Sequence, residues 1–219
     1  MSANASSSVT AADAYERLRA DIVAGRLQPN ERLVEADLTK SLGTTRTAVR
    51  GALARLAHEG LVEHERNRGA KVRLVGEAEA IEILEARAVL EGLVARKAAA
   101  NATEADVADL RAVLASMREL LDTGDLLGVS ELNSKLHQTM LRIAGHRTAE
   151  GLVSMLNPHI VRFQFRTILQ PGRPAKSFAE HSAIVDAIAA GDGDGAEAAM
   201  RRHLSHVADA LRASAHAGP

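Results

Sequence analysis

Residues Gly43 to Gly60 read Gly-Thr-Thr-Arg-Thr-Ala-Val-Arg-Gly-Ala-Leu-Ala-Arg-Leu-Ala-His-Glu-Gly, a stretch with a start, a face and a stop. Thr44 or Thr45 can cap a helix in which Val49, Leu53 and Leu56 recur at helical spacing, and Gly60 can close it in the left-handed conformation. Thr47, Arg50, Gly51 and Ala54 fall away from that apolar stripe, with Arg46 beside them at the leading end. Two guanidinium forks four residues apart, flanked by hydroxyls and backed by residues with almost no side chain, suit a helix lying deep in a DNA major groove. There arginine matches guanine O6 and N7. Taken alone, the pattern also describes the solvated face of an Arg/Ala-rich core helix, so the flanking chain has to decide.

Upstream, Thr10 can cap a helix whose Ala14, Leu18, Ile22 and Val23 face inward and which ends at Gly25, followed by a turn at Leu27-Gln28-Pro29-Asn30. A second helix, roughly Val34 to Leu42, buries Leu33, Leu38 and Leu42 and meets the first stretch at Gly43. Helix, tight glycine turn, helix is helix-turn-helix spacing. Downstream, Leu61 to Arg66 and Ala70 to Val75 alternate on either side of Asn67-Arg68-Gly69, a hairpin signal whose basic tip, with Arg68, Gly69 and Lys71, would lie beside phosphates. The whole reads as a winged helix. Residues 40–73 carry 8 basic and 3 acidic groups in a chain of net charge -1, which points to phosphate contact by this region only.

The 219 residues are 46% apolar and only 2% aromatic, so the core is expected to be Ala, Leu, Val and Ile packed between helices. The absence of cysteine excludes disulfides, Cys-based zinc sites and thiol catalysis. Met-Ser-Ala-Asn-Ala-Ser-Ser-Ser lacks the order of a signal peptide, and no apolar run reaches spanning length. We therefore expect a cytoplasmic protein with no membrane contact, whose residues 1–9 form a disordered tail.

From Gly76 onward every segment reads as helix: Glu77 to Ala100, Thr103 to about Leu121 behind a Thr-x-x-Asp capping box, Asp125 to Ala144, Thr148 to Leu169 broken or kinked at Pro158, Ser177 to Ala190, and Ala196 to Ser214. Pro171-Gly172-Arg173-Pro174 reads as a loop. The expected fold class is therefore mainly α: a winged helix-turn-helix domain over 10–75 with a small β-hairpin, then an antiparallel bundle of about six helices over 76–219.

His137, His181 and His203 fall on apolar faces of three of these helices. Each alone suits a hydrogen-bonded core histidine; three together also suit a zinc, nickel or manganese site built between facing helices, and the residues leave both readings open. Asp192-Gly-Asp194-Gly lacks the twelfth-position acid of a calcium loop and reads as the end of one helix and the start of another. Arg162, Arg166 and Arg173 can reach an anion, and a solvated helix face explains them as well. His146, His159, His206 and His216 read as surface residues or as supports for other ligands. No phosphate loop, nucleophile elbow or His-Glu-x-x-His motif occurs.

The run Ile22-x-x-Gly25-x-Leu27-x-Pro29, Leu33-x-Glu35-x-x-Leu38, Arg46-Thr47-x-Val49-Arg50-x-Ala52-Leu53-x-x-Leu56-x-x-Glu59-Gly60-Leu61-Val62 and Arg68-Gly69-Ala70-x-Val72 resembles the N-terminal domain of GntR-type bacterial transcription regulators. It departs from their usual pattern at Asn30, where glycine is common, and at Gly51, where an acid commonly follows the arginine. Glu85-x-Arg87-x-x-x-Glu91, Asn133-x-x-x-His137, Glu180-His181-x-x-Ile184 and His203-Leu204 resemble the effector-binding FCD domain of the FadR-like subfamily. That resemblance implies a divalent metal, zinc foremost, held by His137, His181 and His203 with Asn133 in the place of the family's acidic residue. It also implies an organic-acid effector facing Arg87, and DNA contacts from Thr45, Arg46, Thr47 and Arg50 with Arg68, Gly69 and Lys71 at the wing. The expectation is a homodimeric regulator, a repressor, acting on a palindromic operator under control of the effector. Its rivals are a metal-dependent enzyme acting on a small carboxylate, disfavoured because no inward general base accompanies the histidines, and a DNA-binding protein with no metal site.

Overall fold

The computed structural model describes residues 9–65 and 69–216, except the side chains of Glu65, Phe165, Ala215 and His216. The chain divides into two compact units, residues 1–75 and 76–219.

In the first unit, α1 (Ala11–Val23) begins at a capping box in which the Thr10 hydroxyl accepts from the Asp13 N–H and the Asp13 carboxylate accepts from the Thr10 N–H. After the two-residue strand β1 (Arg32–Leu33) come α2 (Glu35–Leu42) and α3 (Arg46–His58). Thr45 caps α3 by accepting from the Ala48 N–H at 3.2 Å, while the Thr44 hydroxyl donates instead to the Val9 carbonyl. At the other end Gly60 takes φ +73°, and its N–H and that of Leu61 reach back to Ala57 and Leu56 at 3.0 and 2.9 Å. This crossed pair satisfies carbonyls that the helix end would otherwise leave open. The apolar stripe of α3, Val49, Ala52, Leu53 and Leu56, closes on Ala14, Tyr15 and Leu18 of α1 and on Leu38 and Leu42 of α2.

The hairpin strands are β2 (Val62–Glu65) and β3 (Gly69–Val72), paired antiparallel with Val62 opposite Val72 and Glu63 opposite Lys71. Arg32 and Leu33 pair on the other edge of β3, opposite Lys71 and Ala70, making a three-stranded sheet in the order β1-β3-β2. A two-residue strand is too short to show as alternation, so the third strand had no sequence signal. The turn residues Asn67 and Arg68 lie outside the described residues. Asn30 has φ +66°, unlike any other non-glycine residue described, and its N–H donates to the Val72 carbonyl at 2.9 Å. Asparagine is among the residues that tolerate the left-handed region, which is why it can stand where glycine is usual.

The second unit contains six helices among the described residues: α4 (Glu77–Asn101), α5 (Glu104–Thr123), α6 (Leu126–Ala144), α7 (Arg147–Ile168), α8 (Arg173–Ala189) and α9 (Gly193–His216). The long α4 packs along α9 and also touches α6, α7 and α8, so it is the central element. Gly92 permits that closeness, since a Cβ there would stand 3.0 Å from Arg201 Cγ of α9.

Three boundaries differ from expectation. α7 runs through Pro158 without a break: a proline removes one rung of the ladder, at about 3 kcal/mol, and burial of Val153 before it and Ile160 and Phe163 after it holds both halves in one helix. α8 starts four residues early at Arg173, with Pro174 in its first turn where a missing N–H costs nothing. α9 starts at Gly193, and the Asp192 carboxylate caps it by accepting from the Gly195 N–H at 2.9 Å. His146 likewise stands at the start of α7, its Nδ1 accepting from the Ala149 N–H at 3.2 Å.

The α5 capping box, Thr103 with Asp106, also carries Arg142 of α6, whose Nη2 donates to Asp106 at 3.0 Å. Thr103→Ala is expected to cost about 1 kcal/mol, read as a lowered midpoint in thermal unfolding of the helical unit.

Candidate metal centre and nucleic-acid interface

Four helices bring the centre together, and each does so by ordinary helical periodicity. On α4, Arg87 and Glu91 continue the face of Ile83 and Leu84 and end up 3% and 2% exposed. On α6, His137 sits between buried Leu136 and Met140; on α8, His181 shares a face with Ile184, Val185 and Ile188; on α9, His203 shares one with Met200 and Leu204. The outcome is a converging set: His137 Nε2 lies 3.3 Å from His181 Nε2, and His181 Nε2 lies 3.2 Å from His203 Nε2. One nitrogen from each of the three rings falls within 4.8 Å of the others.

Two carboxylates set the tautomers. His137 Nδ1 is 2.6 Å from Glu91 Oε2, and His203 Nδ1 is 2.7 Å from Glu180 Oε2. An ionised carboxylate only accepts, so both Nδ1 atoms carry the proton and both Nε2 lone pairs face His181. Burial alone would raise the Glu91 carboxyl, but the Arg87 charge and His137 overcome it and hold it down at about 2. Glu180, also raised by burial, is held at about 2 by hydrogen bonds from His203 and His206 and by the charge of Arg173. Burial pushes the His203 imidazole down to about 4, against the opposing bond to Glu180. Burial, with repulsion from His203, His137 and Arg173, pushes His181 well below the usual histidine range.

Neutral imidazoles with inward lone pairs are the ligand form of histidine, and a carboxylate on the far nitrogen is the usual support for a metal-binding histidine. A single His181 Nε2–H could donate to only one of the two facing lone pairs, whereas a cation between the rings serves all three. The donor set fits a divalent metal.

Glu91 and Glu180 are inward carboxylates whose role in the centre was not foreseen. Their oxygens are engaged by histidine and arginine: Arg87 Nε and Nη2 donate to Glu91 Oε1 at 2.6 and 2.5 Å, Arg173 Nη2 donates to Glu180 Oε2 at 3.0 Å, and His206 Nδ1 donates to Glu180 Oε1 at 2.8 Å. The Arg87–Glu91 pair is therefore buried and not a surface i,i+4 bridge, and Arg173 is 8% exposed and not part of a solvated face. The signal was present as i,i+4 spacing from Glu91 back to Arg87, but spacing within one helix does not say which helix covers it. Asn133 is half-buried one turn before His137.

In the first unit, Thr45, Arg46, Thr47 and Arg50 are all exposed, as are Gly51 and Ala54 behind them. Arg50 is 69% exposed at its side chain, and its Nε donates to both Glu35 oxygens of α2, at 3.0 and 2.9 Å. That carboxylate holds the arginine where Gly51 supplies none. Gly69 is exposed, and Lys71 is partly covered with its Nζ 3.0 Å from Glu63 across the hairpin. Arg68 lies outside the described residues. α3 is also tied to α1: the Tyr15 hydroxyl donates to Glu59 at 2.7 Å, and Arg55 lies 3.6 Å over the Tyr15 ring. Among the described residues no helix is long and apolar enough to cross a membrane.

Residues 10–72 match the model of bacterial regulatory proteins of the gntR family, and residues 82–206 match that of the FCD domain. The chain is 30% identical over 212 residues to the HTH-type transcriptional regulator LutR of Bacillus subtilis (strain 168), with 85% of this chain and 94% of that protein covered. It is 28% identical over 198 residues to the HTH-type transcriptional repressor RspR of Escherichia coli (strain K12), covering 90% and 87%. The solved structure of E. coli McbR/YncC shares its fold with a TM-score of 0.77 at 20% identity, over 93% of this chain and 97% of that one. LutR and RspR are named as transcription regulators, which removes the enzyme reading. A DNA-binding winged helix followed by an FCD unit with a buried three-histidine cluster makes the chain a member of the gntR family of bacterial regulatory proteins.

Proposed function

We propose that this protein is a cytoplasmic, homodimeric repressor of the FadR-like subfamily that binds a palindromic operator and is controlled by a small organic acid joining a divalent metal, zinc foremost, at His137, His181 and His203. The observation that carries the reading is the convergence of three imidazoles, two of which, His137 and His203, have their outer nitrogens held by carboxylates, Glu91 buried and Glu180 half-buried. Metal would supply a Lewis-acid anchor for the acid. The protein's own residues fix the rings, exclude water and set the charge around the ligand. Arg87, buried beside Glu91, lends a positive charge to an incoming acid. A neutral Asn133 in the position of the family's acid leaves that charge less cancelled. Control follows from linkage: an acid that favours one form of the dimer shifts DNA affinity by its differential binding. The domains for these roles are residues 10–75 for DNA and 76–219 for metal and effector. The name of RspR as a repressor supports the sign of regulation.

At the DNA, Thr45, Arg46, Thr47 and Arg50 face the bases, while Gly69, Lys71 and, by sequence, Arg68 follow the backbone. Glu35 engages the Nε side of Arg50 and leaves the terminal nitrogens for guanine. Selection of duplexes from a random library, followed by anisotropy titration with zinc and small acids, tests the reading; failure to enrich a two-fold symmetric site would sink it. Arg50→Ala is expected to lose about 1–3 kcal/mol of discrimination between the selected duplex and a scrambled one, with unchanged far-UV circular dichroism.

For the metal, His181→Ala is expected to drop zinc from one ion per chain to none by mass spectrometry of purified protein, while Glu91→Gln weakens zinc affinity about 10–100-fold through loosened support of His137. Full zinc occupancy in His181→Ala would remove the centre from the reading. Asn133→Asp is expected to tighten zinc in calorimetric titration, because a carboxylate cancels part of the ion's charge; unchanged affinity would place Asn133 away from the ion.

A further inference from the structure

A continuous line of polar contacts crosses the helical unit with an arginine at each end. Arg87 Nε meets Glu91 Oε1 at 2.6 Å, Glu91 Oε2 meets His137 Nδ1 at 2.6 Å, and the three histidine Nε2 atoms follow at 3.3 and 3.2 Å. His203 Nδ1 then meets Glu180 Oε2 at 2.7 Å, and Arg173 Nη2 meets the same oxygen at 3.0 Å. Neither arginine is fully used. Nη1 of Arg87 and Nη1 of Arg173 are both buried and have no hydrogen-bond partner. Nearly every buried donor in a folded protein is paired. A guanidinium nitrogen only donates, so the missing partner for each is an acceptor.

Charge then selects the class of acceptor. Two guanidinium groups and two carboxylates in this line cancel, and Asn133 contributes no charge. A divalent ion on three neutral imidazoles therefore leaves two positive charges uncancelled inside the helices. Buried charge in excess is costly until it is paired. A monocarboxylate cancels half of it and gives an acceptor to one arginine; a molecule with two carboxylates cancels all of it.

We infer that the effector of this protein is a small dicarboxylate, with Arg173 as a second anion anchor beside Arg87 and the metal. The inference rests on the proposed metal-and-acid reading of the same site and adds to it the ligand's charge and the residue that recognises it. Arginine is suited to this task because its fork can hold Glu180 on one side and a second carboxylate on the other, whereas a lysine ammonium has no such planar fork.

The test is calorimetric titration of zinc-loaded full-length protein with two matched pairs of acids: succinate against butyrate, and malate against 2-hydroxybutyrate. Zinc content is measured in the same samples. Each dicarboxylate is expected to bind at least tenfold more tightly than its one-carboxylate counterpart, and Arg173→Lys is expected to bring that ratio to within about twofold of one. Equal binding within both pairs, or binding of neither member, by protein that holds zinc overturns this inference and leaves the metal centre standing. Protein that takes up no zinc overturns the metal reading and this inference with it. Should Arg173→Lys fail to fold, the wild-type ratio alone decides; a folded Arg173→Lys that keeps the full ratio removes Arg173 as the anchor.

Discussion

The contact on which the helical unit depends is the buried carboxylate held between arginine and histidine. Glu91 is 2% exposed and remains ionised only because Arg87 and His137 compensate the loss of water. Removing one partner of such a buried pair typically costs about 3–5 kcal/mol, because the other is left as an uncompensated charge. The arrangement is repeated at Glu180 with Arg173 and His203. These ties link α4 to α6 and α8 to α9 at the level of the histidines. They also decide the chemistry of the centre. A carboxylate on Nδ1 of His137 and of His203 turns the Nε2 atoms of those two rings inward, so the contacts that pack the helices also orient these nitrogens.

The DNA-reading unit uses the same pairing of arginine and glutamate where water screens it. The Arg50–Glu35 pair is exposed, and such pairs contribute only about 0–1 kcal/mol to stability. Its effect is on direction: Glu35 of α2 holds the exposed Arg50 fork by its Nε side. Stability of that helix comes from elsewhere, from the apolar contact of Val49, Leu53 and Leu56 with α1 and α2 and from the Tyr15–Glu59 bond beneath Arg55. A face that makes no contribution to the core is free to be chosen for recognition.

Much of this was legible from residue order. The three helices of the first unit, their glycine stops and the wing were written in caps and apolar spacing, because those signals act within a few residues. So was the inward facing of His137, His181 and His203, since each lies in register with Leu, Ile or Met of its own helix. Where expectation and structure part, a local rule met a tertiary gain. Pro158 did not end α7, since the buried side chains on either side outweigh one lost rung. The loop expected at Arg173 became the first turn of α8, since proline is at no disadvantage there.

Sequence alone determined the class of the protein, two units with a winged helix and a helical bundle, and the identity of three inward histidines; periodicity of one helix suffices for each. Only the tertiary structure decided that those histidines meet. It placed three Nε2 atoms from three helices within one ion's reach, set Glu91 and Glu180 behind them, and turned Arg173 from an apparent surface residue into a buried one with a nitrogen to spare. The reason is physical. Spacing along a chain fixes which residues share a face of one helix, but tautomer, burial of charge and the convergence of donors depend on the faces of other helices, whose contacting residues here lie 22 to 46 apart in sequence.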